Sequence, residues 1–123
     1  MMAGLAALAL SSFQARAEPN PISGFISGNK LLELCDAPFG TNSQAWCDGY
    51  IIGVDDTLTI TEAVSGKAGS ASHRYYCLRQ DVTLGQTSLV VLNYLKAHPD
   101  KLDLIASELV IAALAEAFPC SGP

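Results

Sequence analysis

Four cysteines in a chain of 123 residues limit the folds that this sequence can adopt. In a short exported chain, an even number of cysteines is typical of disulfide bonds. A zinc site is disfavoured, because structural zinc usually binds closely paired cysteines such as C-x-x-C and these four are widely spaced. The sequence therefore predicts two disulfides, and on spacing alone all three pairings stay open. The four residues are Cys35, Cys47, Cys77 and Cys120.

The first residues predict that the chain is exported. An apolar run over residues 5–10 precedes Ala15-Arg16-Ala17, a small-x-small pattern typical of signal-peptide cleavage. We expect cleavage after Ala17, so that residues 1–17 are a signal peptide. A frayed N-terminal helix is the alternative interpretation of this segment.

The charge of the mature chain disfavours two classes of partner. Without residues 1–17 the chain has six basic and twelve acidic side chains, a net charge of −6. Nucleic acids and anionic membranes bind surfaces rich in lysine and arginine, because these side chains replace the counterions of phosphate groups. We therefore expect neither partner, and we expect attraction to basic protein surfaces instead.

A capping box marks the start of a helix in the second half of the chain. Thr83 and Gln86 have the spacing at which each side chain bonds the backbone amide of the other. Apolar residues then recur at helical spacing as far as Leu95. His98-Pro99 ends this helix, because the residue before a proline is disfavoured in the α conformation.

The pattern predicts a last helix from Pro99 to about Phe118. It is apolar almost all round, so we expect it at the domain centre or in a subunit interface. Its acidic residues and its length argue against a membrane span. An antiparallel hairpin of the last two helices would bring Cys77 and Cys120 together, which keeps that pairing open.

The first half of the chain predicts two more helices. A short one runs from Lys30 to Cys35, capped by Ser27 or Asn29, and a longer one runs from about 43 to 64 with Ser43 as its N-cap. The β-branched alternation over 57–61 makes a strand an alternative there. The chain is thus expected to be all-α, a small disulfide-stapled domain of four to five helices, with an extended lead-in over 18–28 and the helical domain over 29–120.

Two glycines, Gly49 and Gly53, interrupt the longer helix. Each costs a soluble helix about 1 kcal/mol relative to alanine, so a compensating contact is expected. Close approach of another helix backbone is the simplest one, and it is favoured over a ligand role.

The residue inventory does not predict an enzyme. The sequence has no G-x-S-x-G, no glycine-rich phosphate loop and no H-E-x-x-H motif. Asp55 and Asp56 form the only adjacent carboxylate pair, and neighbouring helix positions diverge by about 100°, so the two cannot readily share a proton. We expect no cofactor and no metal.

The cluster His73-Arg74-Tyr75-Tyr76 has two interpretations. The tyrosines can pack beside the disulfide while the basic side chains stay solvated. Alternatively the cluster is a recognition patch, because aromatic residues and arginine are enriched at interface hot spots.

Several segments together resemble the Rap/Tai family of immunity proteins. The resemblance covers roughly residues 25–120, and its most specific parts are the C-x-G-Y-x-x-G element and the terminal F-P-C. The matching segments are residues 27–35, 47–53, 82–86, 94–99 and 117–120, together with Cys77.

The resemblance implies a periplasmic, non-enzymatic immunity protein that binds a type VI secretion effector, a peptidoglycan amidase, and blocks its substrate cleft. It also implies a homodimer and a fold similar to the HdeA-like acid-stress chaperones. By position in that fold, the disulfides would be Cys35–Cys77 and Cys47–Cys120. Residues chosen for exposure or mobility as candidate contacts with the effector are Asp55, Asp56, Glu62, His73, Arg74, Tyr75 and Tyr76.

Two other functions stay open at this point. One is an acid-stress chaperone, in which protonation of the carboxylates at low pH would loosen the fold for client binding. The other is a structural protein associated with the cell envelope.

Overall fold

The computed structural model describes residues 24–65 and 74–120, which form four α-helices and, in this part of the chain, no β-strand beyond one isolated bridge. The predicted all-α fold is confirmed, and its likeness to the HdeA chaperones stays a prediction. None of the described helices is both long enough and apolar enough to cross a bilayer. The helices are α1 (Gly28–Cys35), α2 (Asn42–Val64), α3 (Leu84–Ala97) and α4 (Ala106–Ala117), with a short 3-10 helix (Pro99–Lys101) after α3.

Side-chain caps fix where the first three helices begin. Ser27 caps α1 by accepting a hydrogen bond from the amide of Lys30. Thr41 caps α2, two residues before the predicted Ser43. At α3 the predicted capping box is confirmed, with both reciprocal bonds present. The stretch 57–61, for which a strand was an alternative, is part of α2.

The last helix is shorter than the sequence predicts. Helical structure breaks between Lys101 and Ala106, where Ile105 takes an extended conformation. The cause is tertiary, because this backbone bonds to the chain just before and at the start of α1. The amide of Gly28 donates to Leu104 O at 2.9 Å, and the amide of Ala106 donates to Ile26 O at 2.8 Å. These bonds are incompatible with one continuous helix from Pro99.

Helix α4 lies at the centre of the domain, which is one of the two positions predicted for the last helix. It contacts α1, α2 and α3. Its buried side chains pack against buried leucines and isoleucine from the other three helices, and together they form one core. The buried residues of α4 are Ala106, Leu109, Val110, Ala113 and Leu114.

Each disulfide joins two cysteines that are consecutive among the four in the sequence. The pairing expected from the HdeA-like resemblance is therefore wrong. Cys35 ends α1 and bonds Cys47, which lies one and a half turns into α2, because the loop between them folds α2 back along α1. Cys77 precedes α3 and bonds Cys120, which follows α4, so the helical hairpin brings these two together. All four cysteines are therefore in disulfides, as predicted, but as Cys35–Cys47 and Cys77–Cys120 in place of Cys35–Cys77 and Cys47–Cys120.

The two glycines of α2 do not meet another helix. A Cβ built on Gly49 or Gly53 would find no atom within 4 Å, and both residues are exposed. The predicted close approach of a helix backbone is therefore wrong. Close approach occurs elsewhere, at Gly28, where a Cβ would overlap the side chain of Leu109.

Candidate partner-binding site

A cleft of about 260 Å³ lies between the C-terminal half of α2 and the extended segment 74–78. One wall consists of successive turns of α2 and the other of the segment that leads to the Cys77 disulfide. Its lining contains both polar and apolar side chains. The lining residues are Asp55, Leu58, Thr59, Glu62, Arg74, Tyr75, Tyr76, Cys77 and Leu78.

Two contacts fasten segment 74–78 to α2. The phenol of Tyr76 donates a hydrogen bond of 2.9 Å to Asp55 Oδ1. Arg74 Nε lies 3.2 Å from Glu62 Oε2 as an ion pair. Because Asp55 and Glu62 are two turns apart on one face of α2, the two bonds align the segment along the helix.

The other side of the segment is fixed to the end of α4. Cys77 is bonded to Cys120, and its amide donates a 2.8 Å hydrogen bond to Phe118 O. The cleft therefore has walls held by covalent and hydrogen bonds on both sides. Such a preorganised surface loses little conformational entropy when a partner binds.

Burial shapes the electrostatics of the cleft. Tyr76 is buried, and its removal from water raises the pKa of its phenol well above the usual value. The hydrogen bond to Asp55 and the charges of Asp55 and Glu62 raise the pKa further. Tyr76 therefore stays protonated and remains the donor in its hydrogen bond to Asp55.

The structure brings together five of the seven residues predicted to contact a partner. Asp55, Glu62, Arg74, Tyr75 and Tyr76 all line the cleft. Asp56 is exposed on α2 but is not part of the lining. The seventh residue, His73, lies outside the described residues.

Each of the two interpretations of the aromatic cluster describes part of it. Tyr76 packs in the core next to the Cys77 disulfide, as the packing interpretation predicts. Tyr75 remains 64% exposed, so it is available to a partner. Arg74 is neither free nor simply solvated, because it pairs with Glu62.

A second concave surface, which the sequence did not predict as a site, runs along α2 and meets the cleft at Leu58. It consists of two adjoining hollows that share Gly49 and Tyr50. One hollow reaches Trp46 and Ile26, and the other reaches Ile111 of α4. Gly49 and Gly53 are the sequence signal for this surface. The pattern alone does not show that they face open space.

The described residues do not form a metal site. Over 24–65 and 74–120, no three His, Cys, Asp or Glu side chains are close enough together to hold an ion.

These features define a class of protein, a small all-α domain with two disulfides and a preorganised polar cleft. A family model of the Rap1a immunity proteins matches residues 27–120, which is more than half of the chain. The chain therefore belongs to the Rap1a immunity protein family. Comparisons with curated proteins and with solved structures gave no significant match.

Proposed function

We propose that this chain is a periplasmic immunity protein that binds a peptidoglycan-cleaving amidase delivered by type VI secretion, and that it blocks the substrate cleft of this enzyme. The observation that carries the proposal is the match of residues 27–120 to the Rap1a immunity proteins. Immunity requires occupation of the effector and no reaction, so the proposal includes no catalytic residue, metal or cofactor. It also includes a homodimer.

The disulfides support the periplasmic location. Two disulfides over the described residues are expected in an oxidising compartment and are unusual in the cytosol. The proposal includes a signal peptide over residues 1–17 with cleavage after Ala17. The mature domain would then fold and oxidise in the compartment in which the amidase attacks peptidoglycan.

The cleft between α2 and segment 74–78 supports the binding role. Its exposed Tyr75 is an aromatic anchor with few rotatable bonds, and aromatic residues and arginine are enriched among hot-spot residues. We propose that the contact surface comprises Asp55, Asp56, Glu62, His73, Arg74, Tyr75 and Tyr76.

The test is protection of a host cell. A candidate amidase effector, chosen from the genes that neighbour this one, is expressed with export to the periplasm, together with the full-length chain. We expect growth to be rescued by the full-length chain and not by residues 18–123 retained in the cytosol. No rescue by the exported chain, together with no complex of the purified proteins at micromolar concentration, would refute the immunity function.

A matched pair of variants then tests the cleft. We expect Tyr75→Ala to weaken the purified complex by about tenfold or more, the range typical of a hot-spot residue. The control is Leu89→Ala on α3, which removes a side chain of similar exposure, 56% against 64%, outside the cleft. If the two variants bind the amidase with equal affinity, Tyr75 is not part of the contact surface.

A further inference from the structure

Part of the concave surface along α2, next to the hollow at Trp46, is an apolar groove between α2 and α4. Its floor and walls come from Tyr50, Val54 and Leu58 on one side and Ile111 on the other. The hollow between the two helices is about 470 Å³, enough to accept a large side chain. Gly53 keeps it open, because no side chain projects from that position.

Exposed apolar side chains border this groove. Trp46, which lines the hollow at the start of α2, is 67% exposed. Ile60 is 58% exposed, and it lies two turns beyond Gly53, close to the same face of α2. Large apolar side chains exposed beside a concave surface are typical of protein interaction sites.

Neither helix that forms the groove contains a basic residue, since α2 and α4 have no lysine, arginine or histidine. The carboxylates nearest to the groove are those of Asp56 and Glu108, which are exposed and are sequence neighbours of the lining residues Thr57 and Ser107. A second copy of this chain that docked through its own α2 and α4 would bring no basic residue of these helices to the exposed carboxylates beside the groove, so it would lack charge complementarity there. A basic surface would be complementary.

We propose that the α2–α4 groove is a second docking site for the effector, and that it receives an apolar or aromatic side chain projecting from a surface rimmed by lysine and arginine. This inference rests on the proposed immunity function. The groove and the cleft share Leu58, so one partner could contact both along α2. The groove would supply apolar burial, and the carboxylates of Asp56 and Glu108 beside it would speed association and select basic partners.

The experiment uses calorimetry to measure the affinity of the mature domain for the candidate amidase. Gly53→Leu fills the groove from its open floor, and we expect it to raise Kd by at least tenfold. Gly85→Leu is the matched control, because a Cβ on Gly85 in α3 meets only Thr83 Oγ1, at 4.0 Å, and Gly85 does not line the groove. Thermal unfolding of both variants verifies that they fold.

Salt dependence tests the charge of the partner. Between 0.05 and 0.5 M NaCl we expect Kd for the wild-type domain to rise severalfold, because salt screens attraction between exposed charges. A Kd that is unchanged or falls with salt would contradict the proposal that the partner surface is rimmed by lysine and arginine.

The outcomes separate this inference from the function on which it rests. If the wild-type domain does not bind the amidase, the immunity function itself fails. If the wild type binds and Gly53→Leu binds equally well, the function stands and the groove is not the docking site. If Gly53→Leu changes only the oligomeric state, measured by light scattering, the groove belongs to a second copy and the inference is overturned.

Discussion

Tyr76 and Asp55 are joined by a hydrogen bond of 2.9 Å between the phenol and the carboxylate. They are 21 residues apart in the sequence, on opposite sides of a cleft. Tyr76 is 8% exposed and Asp55 is half-buried, so the bond is shielded from water. It ties α2 to the segment that carries Arg74 and Tyr75, and so it helps to fix the shape of the cleft.

Removal of this bond should cost stability near neutral pH. Tyr76→Phe keeps the ring in the core but leaves Asp55 without its donor. We expect the free energy of unfolding to fall by about 1 to 2 kcal/mol, the usual cost when a partly buried charged acceptor loses a hydrogen bond. Urea unfolding at pH 7 measures this, and Tyr75→Phe is the control because Tyr75 is largely exposed.

The same variant should change how stability depends on alkaline pH. The pKa of Tyr76 is raised in the folded state, so its stabilising contribution is fully present below pH 10.0, the value for unfolded tyrosine, and is lost as pH rises above it. We expect the wild type to lose more stability than Tyr76→Phe between pH 9 and 11. Parallel stability curves for the two proteins would contradict this origin of the pKa shift.

The two disulfides should contribute unequally. The Cys77–Cys120 bond closes a loop of 43 residues and the Cys35–Cys47 bond a loop of 12. In the chain-entropy model these loops correspond to about 4 and about 3 kcal/mol. We therefore expect the double Cys→Ser variant of the longer loop to have the lower melting temperature. The reverse order would show that native contacts outweigh the entropy of the unfolded chain.

Short-range signals in the sequence predict most of the helical structure. The capping box of α3 involves residues three apart, so its signal is complete within one turn. The break before Ala106 could not be predicted in the same way, because its cause is a set of backbone bonds to residues about 75 positions earlier. Helix patterns do not contain that information.

The candidate site shows the same limit. The residues flanking Cys77 were recognisable by composition, but their approach to Asp55 and Glu62 depends on how the hairpin of α3 and α4 closes. The pairing implied by the HdeA-like resemblance is wrong for a related reason, because the local turn between α1 and α2 brings Cys35 to Cys47. At Gly49 and Gly53 the sequence indicates a cost in helix stability, but it does not indicate which interaction offsets that cost.

A carboxylate between α2 and α3 should couple these two helices. Ser88 Oγ donates to Asp48 Oδ1 at 2.6 Å, and Gln44 Nε2 donates to the other oxygen at 2.6 Å. A double-mutant cycle of Asp48→Ala and Ser88→Ala isolates the bond between helices. We expect a coupling energy of about 1 kcal/mol, because the pair is half-buried. The exposed pair Lys30–Glu33 is the control, with an expected coupling of about 0.3 kcal/mol.

Alanine should have opposite effects at two glycines of this chain. Gly49 is exposed in the middle of α2 and has open space around it, so Gly49→Ala should raise the free energy of unfolding by about 1 kcal/mol through helix propensity. Gly28 is buried, and a Cβ there would lie 2.9 Å from the backbone of Leu102. Gly28→Ala should therefore lower the free energy of unfolding by about 1 to 3 kcal/mol through overpacking. Denaturant unfolding of both variants measures the difference, and a stabilised Gly28→Ala would contradict the close packing of α1 against the turn before α4.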